Sequence, residues 1–166
     1  KLLLDSAVSL VVADRGTLWI VDRDAEIVRA KYAHGIAPSA PLEISMDSGI
    51  VGAAIATQNP VNILDAYADE RFNPEVDKAT GYHTKNILAV PMISTRGNVV
   101  GVLQVLNKKD ATHFDDDDVL LLRALGGIAA GSIENAFLYH QIDALLEGFV
   151  RASVSAIEAR DPTTSG

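Results

Sequence analysis

Residues 86–107 (NILAVPMISTRGNVVGVLQVLN) decide the fold. They contain two runs rich in Val, Ile and Leu, at 87–94 and 99–106, joined by a polar turn at 95–98. Two β-branched runs around a short Gly/Asn turn predict an antiparallel hairpin. Because both runs are almost wholly apolar, we expect this hairpin at the centre of a sheet with both faces covered. Pro91 cannot donate to a ladder, so it predicts a bulge or a locally unpaired position.

The chain before the hairpin alternates between short apolar runs and turn residues. Apolar residues at helical spacing over 1–12 predict the end of a helix, and the segment 47–60 predicts a second helix at 50–57, capped by Asp47 or Ser48. Asp14-Arg15-Gly16 predicts a turn. The remaining runs predict strands at 17–21, 25–32, 42–45 and 61–64, with a loop at 33–41.

The segment 65–83 (DAYADERFNPEVDKATGYH) is a long polar connection between a strand and the hairpin. Its pattern predicts one short helix around 74–80, which ends at Gly81. Connections of this length inside a compact domain are usually functional or disordered, and the ordered elements on both sides favour function.

The last element is a long helix that begins after Phe114. Aspartates at 115–118 favour the positive end of its dipole. Apolar residues recur at alternating spacings of three and four along it, with one change of register, at Leu122, Leu125, Ala129, Ser132, Ala136 and Tyr139, then at Leu138, Ile142, Leu145, Phe149, Ala152 and Ala156. The second stripe has no remaining domain to cover it, so we predict a homodimer through this helix.

Composition excludes several functions for this chain of 166 residues. Its net charge of −8 argues against nucleic acid as a partner. It has no cysteine, which excludes disulfides, thiolate metal sites and cysteine nucleophiles. The four histidines are widely separated and predict no metal site. No apolar run reaches the ~18 residues of a membrane span, so we expect a soluble, cytoplasmic domain without membrane insertion.

The order of elements and two strings resemble the GAF domain family over about residues 6–135. The strings are DSGIVGAAIATQNPVNILDAYADERFNPEVDKATGYHTKNILAVPMIS, at 47–94, and GVLQVLNKK, at 101–109. They are most similar to GAF domains that bind cyclic nucleotides in phosphodiesterases and adenylate cyclases. The resemblance implies an α+β fold, an α/β sandwich. Its central antiparallel sheet has about six strands, with the terminal helices on one face and a ligand pocket under a lid on the other. The lid is segment 65–83.

The resemblance also implies site residues. The positions of Ile50 and Val51 supply backbone amides to the ligand, and those of Asp77, Thr80 and Thr84 contact purine and ribose. The residues alone leave alternatives open: Gly49 and Gly52 could instead serve close packing, and the lid residues could serve local capping. Gln104, mid-strand among apolar neighbours, either faces the cavity, which we favour, or is hydrogen-bonded within the core.

Part of a phosphodiesterase-type motif is present as Asn107-Lys108, Phe114 and Asp118. In the family, its Lys–Asp pair ties a loop to the start of the last helix, which implies a structural pair between Lys108 and Asp118. No catalytic residue, metal or permanent cofactor is predicted. The implied ligand is a purine cyclic nucleotide, cAMP or cGMP.

The C-terminal string AIEARDPTTSG, at 156–166, is similar to the opening of HD-GYP phosphodiesterase domains. It implies a three-part organisation: a helix end at 1–12, the sensory domain at 13–137 and a helical connector at 138–166 that leads into an HD-GYP domain. We therefore expect a non-catalytic regulatory fragment of a bacterial cyclic di-GMP phosphodiesterase. The alternative is a ligand-free module for dimerisation and signal relay.

Overall fold

The computed structural model describes residues 1–34 and 42–160, the side chains of residues 79, 80 and 158–160 excepted. Of the predicted loop 33–41, residues 35–41 therefore lie outside the described residues. The chain divides into two compact units, Lys1–Gly131 and Ser132–Gly166. The predicted domain boundaries after residues 12 and 137 remain predictions.

The first unit is built on one six-stranded antiparallel sheet in the order β3-β2-β1-β6-β5-β4. The strands are β1 (Ala13–Asp22), β2 (Ile27–His34), β3 (Glu43–Ser45), β4 (Val61–Ile63), β5 (Ile87–Ile93) and β6 (Val99–Lys108). The helices are α1 (Leu2–Leu10), α2 (Gly49–Thr57), α3 (Glu75–Thr80) and α4 (Asp116–Arg160), with a single 3₁₀ turn at Ala66–Ala68. The predicted α+β fold is confirmed.

The hairpin of β5 and β6 lies inside the sheet, as its composition predicts. All residues of β5 except the last are buried. Pro91 is aligned with Val102, and the register shifts only after Met92. The neighbouring strand β4 begins at Val61, opposite Ala89, so Pro91 lies beyond that ladder, where a missing N–H is tolerated.

The prediction of a turn at Asp14-Arg15-Gly16 is wrong, because these residues belong to β1. Gly16 has a packing role here. A Cβ at Gly16 would lie 2.5 Å from a methyl carbon of Val8 and 3.1 Å from one of Leu4, so its absence lets α1 lie directly on the strand. A glycine that serves close approach and one that serves a turn are identical in sequence.

The two faces of the sheet carry different helices. Leu4 and Val8 of α1 and Leu122 of α4 are buried, and Gly126 of α4 lies against Val90 and Met92 of β5. On the opposite face, α2 packs on β4, β5 and β6. The terminal helices therefore cover one face of the sheet, and the other face carries α2.

Helix α4 enters the second unit, whose described part is residues 132–160 of this helix. Large apolar side chains along it are exposed, among them Tyr139, Ile142, Leu145, Leu146, Phe149, Val150, Val154 and Ile157. Over Asp116–Ile157 the helix is long and apolar enough to cross a membrane, judged by length and composition alone. Core helices of soluble proteins share this length and composition, and the charged residues Arg123, Glu134 and Asp143 lie within this helix.

Candidate ligand-binding site

The sheet face under α2 carries a cluster of buried residues contributed by the sheet, the helix and the connection 65–83. Helix α2 contributes four of its members: Ile50, Val51, Ala54 and Ile55. Its other buried members are Trp19, Val21, Val28, Ile63, Ala66, Ile87, Ala89, Val99 and Val102, with Met46, Phe72 and Leu106 packed against them. The predicted site is therefore lined with the chain's own apolar side chains.

The N-terminus of α2 presents backbone amides close to the lid. Gly49, Ile50 and Val51 are its first three residues, so their amides have no acceptor within the helix. Gly49 has a φ of +66°, and a Cβ there would lie 3.4 Å from the carbonyl oxygen of Arg71 in the lid. The side chains of Ile50 and Val51 are buried in the core, which leaves only their backbone amides for an anion.

Gly52 serves close packing at the same helix end. A Cβ at Gly52 would lie 2.4 Å from the carbonyl carbon of Asp47, a distance that no backbone relaxation of the first turn accommodates cheaply. Ser48 is the N-cap residue, and no cap hydrogen bond is made by its side chain. The Gly-x-x-Gly spacing thus combines a positive φ at Gly49, the first residue of α2, with a close contact at Gly52 that only glycine permits.

The structure brings Asp77 and Thr84 together at the end of the lid. The carboxylate of Asp77 accepts hydrogen bonds from the backbone N–H of Thr84 at 2.6 Å, from its Oγ1 at 2.8 Å and from the hydroxyl of Tyr67 at 3.1 Å. Both Asp77 and Thr84 are buried. The pair therefore closes α3 onto the start of β5. The side chain of Thr80 lies outside the described residues.

Asp77, Thr84 and Tyr67 form a hydrogen-bonded group that we call the lid clamp. The ring of Tyr67 also contacts two other aromatic rings. Its ring lies 4.9 Å from that of His83, nearly parallel to it, and 5.2 Å from that of Phe72. Burial first and then the hydrogen bond to Asp77 raise the pKa of Tyr67, which keeps its hydroxyl a donor. Sequence reasoning missed these rings; their signal was the presence of aromatic residues in an otherwise polar connection.

Gln104 lies on the α2 face of the sheet, between Thr17 of β1 and Ala89 of β5. It shares this face with Val102 and Leu106, since alternate residues of a strand point to the same side. Its Oε1 accepts a hydrogen bond of 2.9 Å from the indole N–H of Trp19. Gln104 is half-buried, and Trp19 is buried. Sequence reasoning missed Trp19, although its position on β1 follows from strand alternation.

The far end of the lid is fixed to the sheet by Asn107, whose φ is +56°. Its side chain accepts from the backbone N–H of Lys85 at 2.7 Å and donates to the carbonyl of His83 at 2.8 Å.

Tyr82 makes a second contact between the lid and the sheet. Its hydroxyl donates to Asp14 of β1 at 2.9 Å, and the guanidinium of Arg15 lies 3.5 Å from the centre of the Tyr82 ring. Burial and then the bond to Asp14 raise the pKa of Tyr82.

Lys108 and Asp118 form an ion pair beside this anchor. Nζ of Lys108 lies 2.8 Å from Oδ1 of Asp118, and both side chains are only 8% exposed. Nζ also donates to the carbonyl of Val11 at 3.2 Å, at the end of α1. Asp118 and Asp115 accept each other's backbone N–H at 2.9 Å, which caps α4. The pair thus connects α1, β6 and α4.

A shallow cleft of about 150 Å³ lies elsewhere, at the side of the sheet where β4 begins. It is lined by Gln58, Pro60, Val90, Pro91, Ile93, Arg123 and Gly127, and so does not coincide with the predicted ligand site. Across residues 1–34 and 42–160, no group of three or more metal-ligating side chains comes together.

Comparison with known proteins agrees with this architecture. The family described as "GAF domain" matches residues 1–133. A probable 3',5'-cyclic phosphodiesterase of Caenorhabditis elegans is 36% identical over 152 residues, 84% of this chain and 20% of the relative. A dual 3',5'-cyclic-AMP and -GMP phosphodiesterase of Drosophila melanogaster is 32% identical over 155 residues, 84% of this chain and 11% of that protein.

Among solved structures, the crystal structure of the GAF domain from an Acinetobacter phosphoenolpyruvate-protein phosphotransferase matches with a TM-score of 0.71. The sequence identity is 20%, over 84% of this chain and 82% of that one, so this likeness concerns the fold. The chain spans a fifth or less of both curated relatives.

Proposed function

The chain belongs to the GAF domain family, a family of regulatory sensory domains, and we propose that this member senses a purine cyclic nucleotide, cAMP or cGMP. The observation that carries the proposal is the meeting of two features on one sheet face: the free amides at the start of α2 and the lid backbone at Arg71. Helix N-termini of this kind hold phosphate groups. The similarity to two cyclic nucleotide phosphodiesterases supports the choice of ligand.

In this proposal the phosphate of the ligand meets the amides of Ile50 and Val51, and the base and ribose lie between the sheet and the lid. Gln104 contributes from the floor. Asp77, Thr80 and Thr84 belong to the wall, where Asp77 and Thr84 hold the lid in its closed arrangement by bonding to each other. The apolar residues now filling this region, Phe72 among them, would move when a ligand enters.

The output we propose is an HD-GYP cyclic di-GMP phosphodiesterase that follows the domain in a longer, cytoplasmic bacterial protein. Its support is the string AIEARDPTTSG, most of which lies outside the described residues. Two chains would join through α4, and this helix would transmit the state of the lid. A ligand shifts such an equilibrium only by its difference in affinity for the two states.

Titration calorimetry and thermal-shift measurements on the full chain test the ligand. We expect a saturable binding heat with cAMP or cGMP, and a melting temperature that rises with ligand concentration. The non-cyclic nucleotides 5'-AMP and 5'-GMP serve as controls for general purine or phosphate binding. Flat responses to both cyclic nucleotides would exclude this ligand class.

A second candidate function is signal relay without a ligand. It is favoured by the apolar filling of the site, where Ile50 and Val51 are buried and Phe72 packs against the cluster. In that case the domain dimerises through α4, and no nucleotide changes its melting temperature. A stable dimer together with flat titrations would select this function over the first.

A further inference from the structure

The apolar stripe of the second unit is continued at its N-terminal end by a polar residue. From Leu138 to Ala156 the stripe follows spacings of four and three along α4. The same alternation carried three residues back reaches Asn135, which is exposed. We call this row of residues the seam. In heptad notation its positions alternate between a and d, beginning with a, and are occupied by Asn135, Leu138, Ile142, Leu145, Phe149, Ala152 and Ala156.

The residue types in the seam are those of a parallel, two-stranded coiled coil. Such dimers favour a β-branched residue at position a and leucine at position d. Ile142 occupies the central a position, and Leu138 and Leu145 occupy the d positions on either side of it. Within the single chain Ile142 is 53% exposed and Leu145 is 74% exposed. The seam is therefore open to a partner helix.

A second apolar stripe on the same helix is less suited to a symmetric contact. It consists of Tyr139, Leu146, Val150 and Ile157, which are also exposed. The regular spacing of this stripe includes Asp143. Two copies that met through it would bury one carboxylate against the other, and such like charges are strongly unfavourable when desolvated. The seam contains no charged residue, so a second copy is expected to cover the seam.

The apolar area of the seam is just sufficient for a dimer. A large apolar side chain removes roughly 60–120 Å² from water when it is buried. The large residues of the seam and the flanking Leu146 therefore give about 500 Å² per helix, or about 1,000 Å² for two copies, which is the lower limit for a specific interface. An interface of this size needs a specific polar contact to select one register.

We propose that Asn135 sets a parallel orientation and an exact register by hydrogen bonding to the same residue of a second copy. This inference rests on the proposed function, whose output route requires a dimer through α4. An asparagine amide both donates and accepts, so two copies satisfy each other. Parallel pairing in register places a against a, whereas antiparallel pairing places a against d. The antiparallel arrangement would leave the amide of Asn135 facing an apolar residue, with its hydrogen bonds unmade.

Disulfide crosslinking of the full chain measures the orientation, because the chain has no cysteine of its own. In Ala152→Cys, parallel pairing brings the two introduced thiols within bridging reach, at roughly 6 Å between Cα atoms. Antiparallel pairing of the same seam would separate them by about 20 Å. We expect most of the dimer to crosslink on mild oxidation. Ala144→Cys makes the same change at an exposed residue outside the seam and should give little crosslink.

Asn135→Leu, introduced together with Ala152→Cys, tests the asparagine itself. Leucine removes a polar group whose burial weakens association, so the reduced chains should associate about 10-fold or more tightly in sedimentation equilibrium. It also removes the contact that selects one orientation, so the crosslinked fraction should fall toward about half. His140→Leu is the control, because it places the same leucine at an exposed f position on the far side of the helix. It should change neither quantity.

The possible failures are distinguishable. A dimer that does not crosslink in Ala152→Cys, or a crosslinked fraction unchanged by Asn135→Leu, would overturn the inference and leave the proposed dimer standing. A chain that sediments as a monomer at all concentrations would overturn both the inference and the proposed output route. Flat nucleotide titrations, by contrast, would exclude the proposed ligand alone.

Discussion

Lys108 and Asp118 are opposite charges in a place almost closed to solvent, each side chain being 8% exposed. Removing one member of such a pair leaves the other charge uncompensated, at a cost of about 3 kcal/mol. Lys108→Met should lower the free energy of unfolding by about this amount in a urea titration. The control is Lys109→Met, because the pair of Lys109 with Asp14 is exposed and should contribute less than about 1 kcal/mol. Equal losses in the two variants would contradict a structural role of the buried pair.

The same pair predicts a dependence on alkaline pH. Burial alone would lower the pKa of Lys108, but the hydrogen bonds and charges of two carboxylates, Asp118 first and then Asp110 at 3.3 Å, together outweigh burial and raise this pKa above its ordinary value of 10.5. A raised pKa stabilises the folded state below the unfolded value, and the stabilisation is lost as pH rises through the folded value. The difference in unfolding free energy between wild type and Lys108→Met should therefore be constant from pH 7 to 9 and shrink above about pH 10.5. If the difference in unfolding free energy stayed constant up to pH 12, the proposed contribution of the charged Lys108 to stability would be contradicted.

Asp77 holds three donors at once in a buried position, two from Thr84 and one from Tyr67. Asp77→Asn removes one acceptor from this set and should destabilise the domain by about 1–3 kcal/mol, because a buried donor is left unpaired. Glu75→Gln on the same helix is the control, since Glu75 is exposed and should change stability by less than about 0.5 kcal/mol. Chemical unfolding measures both, and a neutral Asp77→Asn would show that the lid is not closed by this clamp.

At the scale of an element, α2 contains Gly52 although glycine is a poor helix former. Alanine is better than glycine in a helix by about 1 kcal/mol, so Gly→Ala normally stabilises. At Gly52 the new Cβ would lie 2.4 Å from the backbone of Asp47, and we expect Gly52→Ala to destabilise by about 1–3 kcal/mol instead. Gly127 in α4 has no atom within 4 Å of the same position. Gly127→Ala should therefore stabilise by up to about 1 kcal/mol. Thermal or urea unfolding separates the two signs.

How far the sequence predicts each element depends on what determines that element. The hairpin of β5 and β6, the start of α2 and the stop at Gly81 follow from local pattern and turn chemistry, and all three are present. The strand at Asp14-Arg15-Gly16 could not be predicted in this way, because the reason for Gly16 is Val8 in another element. The same holds for the site: the role of Asp77 depends on Tyr67 and Thr84, which meet it only after the lid has folded.

At the scale of the molecule, the two units differ in how much of their apolar surface is covered. In Lys1–Gly131 the apolar residues of the sheet are covered by α1, α2 and the first part of α4. In the described residues 132–160, side chains such as Leu145 and Phe149 are more than 70% exposed. Exposed apolar stripes of this kind mark an interface. The proposed signal from lid to output therefore depends on a second copy of this helix.

The stripe of Ile142, Leu145, Phe149 and Ala152 has the alternating spacing of a coiled-coil seam. Leu145→Lys would place a charge in this seam and should convert the proposed dimer to a monomer, lowering the association constant by at least about 100-fold, which corresponds to about 3 kcal/mol. Gln141→Lys introduces the same charge on an exposed residue outside the stripe and should leave the dimer intact. Sedimentation equilibrium of both variants measures the change. Because Leu145 is exposed within its chain, the melting temperature of the sheet unit should not fall in the monomeric variant beyond the loss of dimer linkage. A wild type that sediments as a monomer at all concentrations would exclude a dimer through α4 and, with it, the proposed route by which the lid controls an output domain.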